Sequence, residues 1–278
     1  MPNQAKKQDQ APAIDPSKPV LAFRNVSLSF DQNKVLDDVS FAICPAETFV
    51  LLGPAGSGKS VLMKLAEGLI KPDSGSICVF GEEITTMSER DLFALRRRVG
   101  MVFQESALFD SMTVEDNVAY RLNEEGVDPG EAHKRVEESL RFVLLGDAIA
   151  KFPSELSGGM RRRVSIARAI ITNPDLILYD SPTGGLDPIT STAIIELVGK
   201  QRDINHTTAL MITHRLQDAF TLATHRFDQQ ANKLMPIPNS GVDEKTRFLV
   251  LNEGKIVFQG STLELTHSDD PWIKSYLS

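Results

Sequence analysis

Eight consecutive residues carry the densest chemistry in this chain: Gly53-Pro54-Ala55-Gly56-Ser57-Gly58-Lys59-Ser60, with the spacing G-x-x-x-x-G-K-[ST]. Glycines at these places let successive backbone N–H groups curl around an anion, and a helix starting at the lysine adds positive potential. Lys59 then reaches the terminal phosphates of a nucleotide, and Ser60 offers an oxygen to a magnesium ion. A second candidate is Asp180, delivered by the apolar run Leu176-Ile177-Leu178-Tyr179. An acid at the end of a strand is commonly a turn former, but beside a phosphate loop it can hold the magnesium shell. A third is Leu156-Ser157-Gly158-Gly159-Met160, followed by RRRVSIARAII at helical spacing. Ser157 can cap that helix, whose free N–H groups make a second anion site.

The elements needed to hold these groups are legible in the hydropathy pattern. Residues 20–52 alternate apolar and polar positions between turn signals such as DQNK and CPAE, which predicts an antiparallel sheet feeding one buried strand. Residues 59–69 have helical spacing, so strand, phosphate loop and helix follow one another. Helical patterns dominate about 105–165 and read as a lobe inserted between core strands; DLILYD and TALMIT are the buried strands that follow. FLVLNEGKIVFQG reads as a hairpin turning at Gly254, and the polar, proline-broken stretch 227–247 before it as an exposed inserted loop. The tail, about 267–278, holds DDPWIKSYLS, an amphipathic segment expected to pack on its own chain or on a second copy.

Composition narrows the function. A chain of 278 residues that is 41% hydrophobic can bury a substantial core, with residues 1–19, rich in Gln, Pro and Lys, read as a disordered tail. The formal charge of −7 and scattered basic residues speak against a nucleic-acid partner. Cys44 and Cys78 lie far apart, outside any metal-binding spacing. Neither a secretion signal nor an apolar run of roughly 20 residues is present, so a soluble, cytoplasmic chain is expected.

Taken in order, these motifs resemble the ABC ATPase family from about Val20 to Ser278, and LSGGM is that family's hallmark. The resemblance implies an α/β fold: a RecA-like P-loop core, an antiparallel β lobe and an inserted helical lobe. It implies Mg2+ and ATP, with nucleotide contacts from residues 53–60 and Val61 and with Phe30 stacking on adenine. Gln104 in MVFQ would join magnesium to the transporter contact, Asp187 in GGLDP would bridge two protomers, and His214 in MITH would sense the γ-phosphate. ATP in such proteins lies between the P-loop of one copy and Ser157, Gly158, Gly159 and Met160 of the other. The implied partners are thus a second copy of the chain and integral membrane permease subunits.

A finer resemblance, carried by GKSVLMKLAEGLIKPDSG, FQESALFDSMTVEDNVAY, PSELSGGMRRRVSIARAI and LDPIT, is to the ATPase subunits of MCE-associated, Mla-type lipid transporters. It implies a phospholipid or related cargo moved between bacterial membranes, MCE-type lipid-binding companions, and a place on the cytoplasmic face of the inner membrane.

The chain departs from the family pattern at three places. Ser181 stands where a glutamate usually orients or deprotonates the attacking water. Three explanations stay open: turnover resting on His214 and the remaining electrostatics, a substitute carboxylate such as Glu105, or a subunit that binds without hydrolysing. Pro45-Ala46-Glu47 lacks the usual glycine before its glutamate, and Val61 lacks a hydroxyl. An ABC ATPase of DNA repair or translation, another rival, would want a coiled-coil insertion or a basic patch, and neither is seen.

Overall fold

The computed structural model describes residues 18–278, so the expected disordered tail lies almost wholly outside the described residues. The chain enters as an antiparallel pair, β1 (Leu21–Phe30) and β2 (Asn33–Ile43), with Phe23 opposite Phe41 and Val26 opposite Val39. β3 (Thr48–Leu52) is buried at every position, as a strand covered on both faces must be. Beyond the glycine loop runs α1 (Lys59–Ala66); β4 (Ser74–Val79) returns antiparallel to β1, and β5 (Glu82–Glu83) completes a four-stranded lobe. α2 (Glu89–Arg96) and β6 (Val99–Val102) lead to the helices α3 (Val114–Glu124), α4 (Pro129–Phe142) and α5 (Gly158–Ile170). The helical lobe so runs a few residues past the expected end near 165.

Core and lobe then close through β7 (Leu176–Asp180), α6 (Pro188–Asn205), β8 (Thr208–Ile212), α7 (Leu216–Thr224), β9 (His225–Asp228), β10 (Lys233–Pro236), β11 (Thr246–Asn252), β12 (Lys255–Ser261), α8 (Thr262–Thr266) and α9 (Pro271–Leu277). The central six-stranded sheet has the order β12-β11-β3-β8-β7-β6 and is parallel except for β12. The fold is the mixed α/β expected from sequence.

Strand periodicity divides the core in two. Val50 and Leu52 on β3, Ile177 and Tyr179 on β7, and Phe248 and Val250 on β11 join the core under the helical lobe. Their neighbours Phe49, Leu51, Leu176, Leu178, Leu249 and Leu251 join the core under the antiparallel lobe. Each such side chain contributes about 1.5–3 kcal/mol by leaving water, so a register slip of one residue would cost both cores at once. At the departure before β3, Ala46 has φ 62, the left-handed region glycine would occupy without strain. Its N–H is held by Thr208 Oγ1 at 3.0 Å, and Glu47 accepts from Cys44 N at 2.7 Å.

Residues 227–247 are largely exposed, as expected, but are not a plain loop: β9 and β10 pair antiparallel, Asp228 opposite Lys233 and His225 opposite Pro236. Asp228 closes the turn by accepting from the N–H groups of Gln230 and Ala231. Leu234 packs over Gly199, where a Cβ would lie 2.6 Å from the leucine Cδ2. Beneath the ribbon the buried Arg202 guanidinium donates to the Leu222 and His225 carbonyls and pairs with Asp203 and Asp243. Of the polar residues in this stretch, Asp243 and Thr246 are partners of that buried cation, while most of the others face solvent.

The tail helix α9 packs on its own chain, with Ile273 buried and Trp272, Tyr276 and Leu277 against the core under the helical lobe.

Candidate functional site

Register brings the chemistry together. Leu51 pairs with Ile212, Ile212 with Asp180, and Tyr179 with Val102. Gly53, His214, Ser181 and Gln104 each lie one or two residues beyond these partners, so they emerge from four adjacent strands at one end of the sheet, where α/β folds open a ligand crevice.

The phosphate loop has the backbone its glycines permit. Gly53, Gly56 and Gly58 have φ of 144, 79 and 103. A Cβ on Gly53 would lie 2.1 Å from the Leu251 carbonyl oxygen, and one on Gly58 would lie 2.9 Å from the Val35 carbonyl oxygen. A Cβ on Gly56 would meet nothing within 4 Å, so there the glycine answers to its φ rather than to crowding. Pro54, Ala55, Gly56 and Ser60 are exposed, whereas Ser57, Gly58 and Lys59 are buried. Lys59 Nζ donates to the Gly53 and Pro54 carbonyls at 2.9 and 2.7 Å. Burial lowers its pKa while Asp180 pulls the other way. Val61 faces the core under the antiparallel lobe, a place for methyl groups rather than a hydroxyl.

Burial raises the Asp180 carboxyl, against the Ser181 hydroxyl, His214, Lys59 and Lys64, which all favour its charge. A cation placed beside it would relieve that burial. Among the described residues no group of three His, Cys, Asp or Glu side chains could cage a metal. The donor set, one carboxylate and one hydroxyl, suits an ion that takes most of its ligands from phosphate and water. His214 is depressed by burial and by Lys59, which leaves a neutral imidazole near pH 7.

Ser181 is 5% exposed, has φ 46, and its hydroxyl lies 3.4 Å from Asp180 Oδ1. Its carbonyl accepts from Arg162 Nη1 at 3.2 Å, and the same guanidinium donates to the carbonyls of Phe103 and Gly184. Arg162 therefore ties α5 to the segment carrying Gln104 and to the turn after β7, a role no motif announced; its signal was an arginine on a helix otherwise rich in buried apolar residues. Gln104 and Glu105 are exposed, and a Cβ on Gly184 would lie 3.5 Å from Gln104 Cγ.

The other expected residues lie outside this cluster. Phe30 is 49% exposed at the end of β1. Ser157 caps α5, accepting from Met160 N at 3.2 Å, and Ser157 and Gly158 face solvent. Gly159 is buried against Thr190. Asp187 caps α6 through Thr190, whose hydroxyl and N–H hold its carboxylate below the usual range. Signature and Asp187 segments therefore share a face, with the open helix end pointing outward.

A groove of about 490 Å³ lies next to Gln104, with Phe93, Met101, Phe103, Phe109 and Tyr120 among its walls. Glu67 lines it too, an acid at the end of the apolar α1 that motif reading passed over, and burial pushes its carboxyl up to about 7. The unfolded chain ionises this group near 4.5, so it costs stability as pH rises from 4.5 towards 7 and a constant amount above. Glu67→Gln is expected to stabilise the protein by on the order of 2 kcal/mol at pH 8, discounted for partial solvent access, and by nothing at pH 4. Urea denaturation at the two pH values checks this.

A glycine loop, a strand-end aspartate and a capped Ser-Gly-Gly helix on an α/β core with inserted helices define the class: an ATP-binding cassette. Residues 36–184 match the family described as ABC transporter, and the chain belongs to it as an ATP-binding subunit and ATPase. It is 34% identical over 255 residues to the intermembrane phospholipid transport system ATP-binding protein MlaF of Escherichia coli K12, covering 91% of this chain and 87% of that protein. It is 39% identical over 201 residues to the methionine import ATP-binding protein MetN 2 of Bacillus cereus, covering 71% of this chain and 59% of that one, so it spans about three fifths of that relative. A dimeric cassette solved in a post-hydrolysis state with ADP and phosphate superposes with TM-score 0.73 at 26% identity, covering 87% of this chain and 98% of that chain. CbiO1 of Clostridium perfringens, at 24% identity and TM-score 0.74 over 90% of this chain and 92% of that one, shares the fold. ABC ATPases bind ATP and function as dimers with membrane permease partners.

Proposed function

We propose that this chain is the Mg-ATP-driven motor of a lipid transporter, acting as a homodimer on membrane permease subunits with MCE-type lipid-binding companions. The observation that carries the motor reading is the convergence of Lys59, Asp180, His214 and Gln104 at neighbouring strand ends, with the Ser157 helix end left open on another face. Residues 53–61 cradle the phosphates, Lys59 moves off its loop carbonyls onto the terminal phosphates, and Phe30 offers an exposed ring to adenine. Ser157, Gly158, Gly159 and Met160 close over the nucleotide of the second copy, and Asp187 bridges the two. When bound, magnesium neutralises phosphate charge, held by Ser60 and Asp180 with Gln104. Neutral His214 donates to the γ-phosphate, and phosphoryl transfer rests on this positioning and charge stabilisation.

The lipid reading is supported by the near full-length match to the phospholipid transport ATPase, against a match to the methionine importer that covers a smaller share of both chains. The aromatic groove beside Gln104 offers the permease a seat in which docking and magnesium share one loop. No helix of the described residues is long and apolar enough to cross a membrane; in this reading the chain sits on the cytoplasmic face of the inner membrane, held there by its permease partners. The test is reconstitution of the chain with its co-purifying membrane subunits in liposomes. ATP turnover is expected to rise several-fold with phospholipid acceptor vesicles and to ignore methionine, and Phe93→Asp is expected to abolish the stimulation while leaving basal turnover intact. Stimulation by methionine alone would replace lipid with amino acid as cargo.

A further inference from the structure

Gly53 is where the core strand becomes the phosphate loop. Leu51 pairs with Ile212 on β8 and Leu52 with Val250 on β11, and the sheet pairing of β3 ends there. The Gly53 residue is buried, so its N–H needs a partner that neither the sheet nor water supplies. The partner comes from the far end of the chain: the Tyr276 hydroxyl on α9 accepts this N–H at 2.9 Å. The carbonyl of the same residue accepts from Lys59 Nζ at 2.9 Å. With φ 144 and a Cβ position 2.1 Å from the Leu251 carbonyl oxygen, Gly53 has little room to shift without losing these contacts.

The hydroxyl is delivered by a rigid support. Tyr276 stacks on Trp272 with ring centroids 5.3 Å apart and planes 6° from parallel. Ile273 is 2% exposed beneath them, and Asp270 caps the helix by accepting from the N–H groups of Trp272 and Ile273. The geometry points to Tyr276 as a positioning residue of the ATPase: through Gly53 it sets the start of the phosphate loop, and with it Lys59, the cation aimed at the terminal phosphate. The effect falls on the γ-phosphate end of the nucleotide, so Tyr276 favours triphosphate over diphosphate. This rests on the ATPase reading of the site.

Tyr276→Phe keeps the ring, its stacking and its packing and removes only the hydroxyl. Binding of Mg-AMP-PNP and Mg-ADP to the full chain is measured by calorimetry for the wild type, Tyr276→Phe and Trp272→Phe, with melting temperatures alongside. Loss of one hydrogen bond predicts that Tyr276→Phe weakens AMP-PNP about 3- to 10-fold, with ADP affinity within about twofold, while the buried Gly53 N–H left without its partner lowers the melting temperature by roughly a few degrees. KM for ATP is expected to rise by the same factor while kcat stays close to that of the wild type. Trp272→Phe is expected to keep the wild-type preference. Equal weakening of both nucleotides, or none, would overturn the proposal and leave Tyr276 a packing residue. A wild type that binds neither nucleotide would overturn the ATPase reading together with it.

Discussion

The Lys59→Ala variant is expected to lose ATP turnover by at least about 10²- to 10³-fold, the scale on which a charge-stabilising donor counts in a water-excluded site. Lys59 is 5% exposed, its ammonium donates to the Gly53 and Pro54 carbonyls, and the described structure pairs it with no carboxylate within salt-bridge distance. It therefore contributes no ion pair to the fold, and burial works against its charge. Alanine relieves that cost, so thermal stability without nucleotide should hold or rise while chemistry fails. Phosphate release and a melting curve on the same preparation separate the two. A variant turning over within a few fold of wild type would show that the cation acting on the terminal phosphate is not Lys59, and the reading of residues 53–60 as the phosphate cradle would fall with it.

Lys59 was legible in the sequence because its motif is local: eight contiguous residues specify a backbone shape, and the flanking strand and helix follow from their own periodicities. Asp180 and His214 were legible for a related reason, since buried parallel strands read as apolar runs and deliver whatever follows them to one end of the sheet. What stayed hidden depends on contacts distant in sequence. Tyr276 reaches Gly53 across 223 positions, and nothing in DDPWIKSYLS separates a phosphate-loop partner from a packing residue. Arg162 sits among arginines of similar spacing, and only the fold shows that this one is buried under Ser181 and Phe103. The ribbon at 227–247 was hidden in the same way: most of its polar side chains do face solvent, but Asp243 pairs with Arg202 and the Phe227 N–H donates to Asp203 of α6, inside partners that pattern reading cannot see.

The departure at Ser181 sets the second large effect: Ser181→Glu is expected to raise ATP turnover about 10- to 100-fold, within the range a positioned general base contributes. The serine hydroxyl has a pKa far above neutral and lies 3.4 Å from Asp180, whose negative charge further opposes losing its proton. It can orient water but not deprotonate it, so Ser181→Ala should cost no more than a few fold. The backbone there has φ 46, equally unfavourable for serine and glutamate, so the exchange should leave folding nearly unchanged. The Arg162 guanidinium, already bonded to the Ser181 carbonyl, would keep the new carboxylate ionised and able to accept a proton. Turnover and ATP affinity measured on the wild type, Ser181→Ala, Ser181→Glu and Glu105→Gln decide among the three explanations. Turnover near wild type in Ser181→Ala and Glu105→Gln, with a faster Ser181→Glu, means that hydrolysis proceeds on positioning and charge alone. Collapse of Glu105→Gln would move the base to the loop after β6. A wild type that binds ATP and never releases phosphate, beside an active Ser181→Glu, would make this subunit a nucleotide-gated clamp, its cycle driven by binding and exchange.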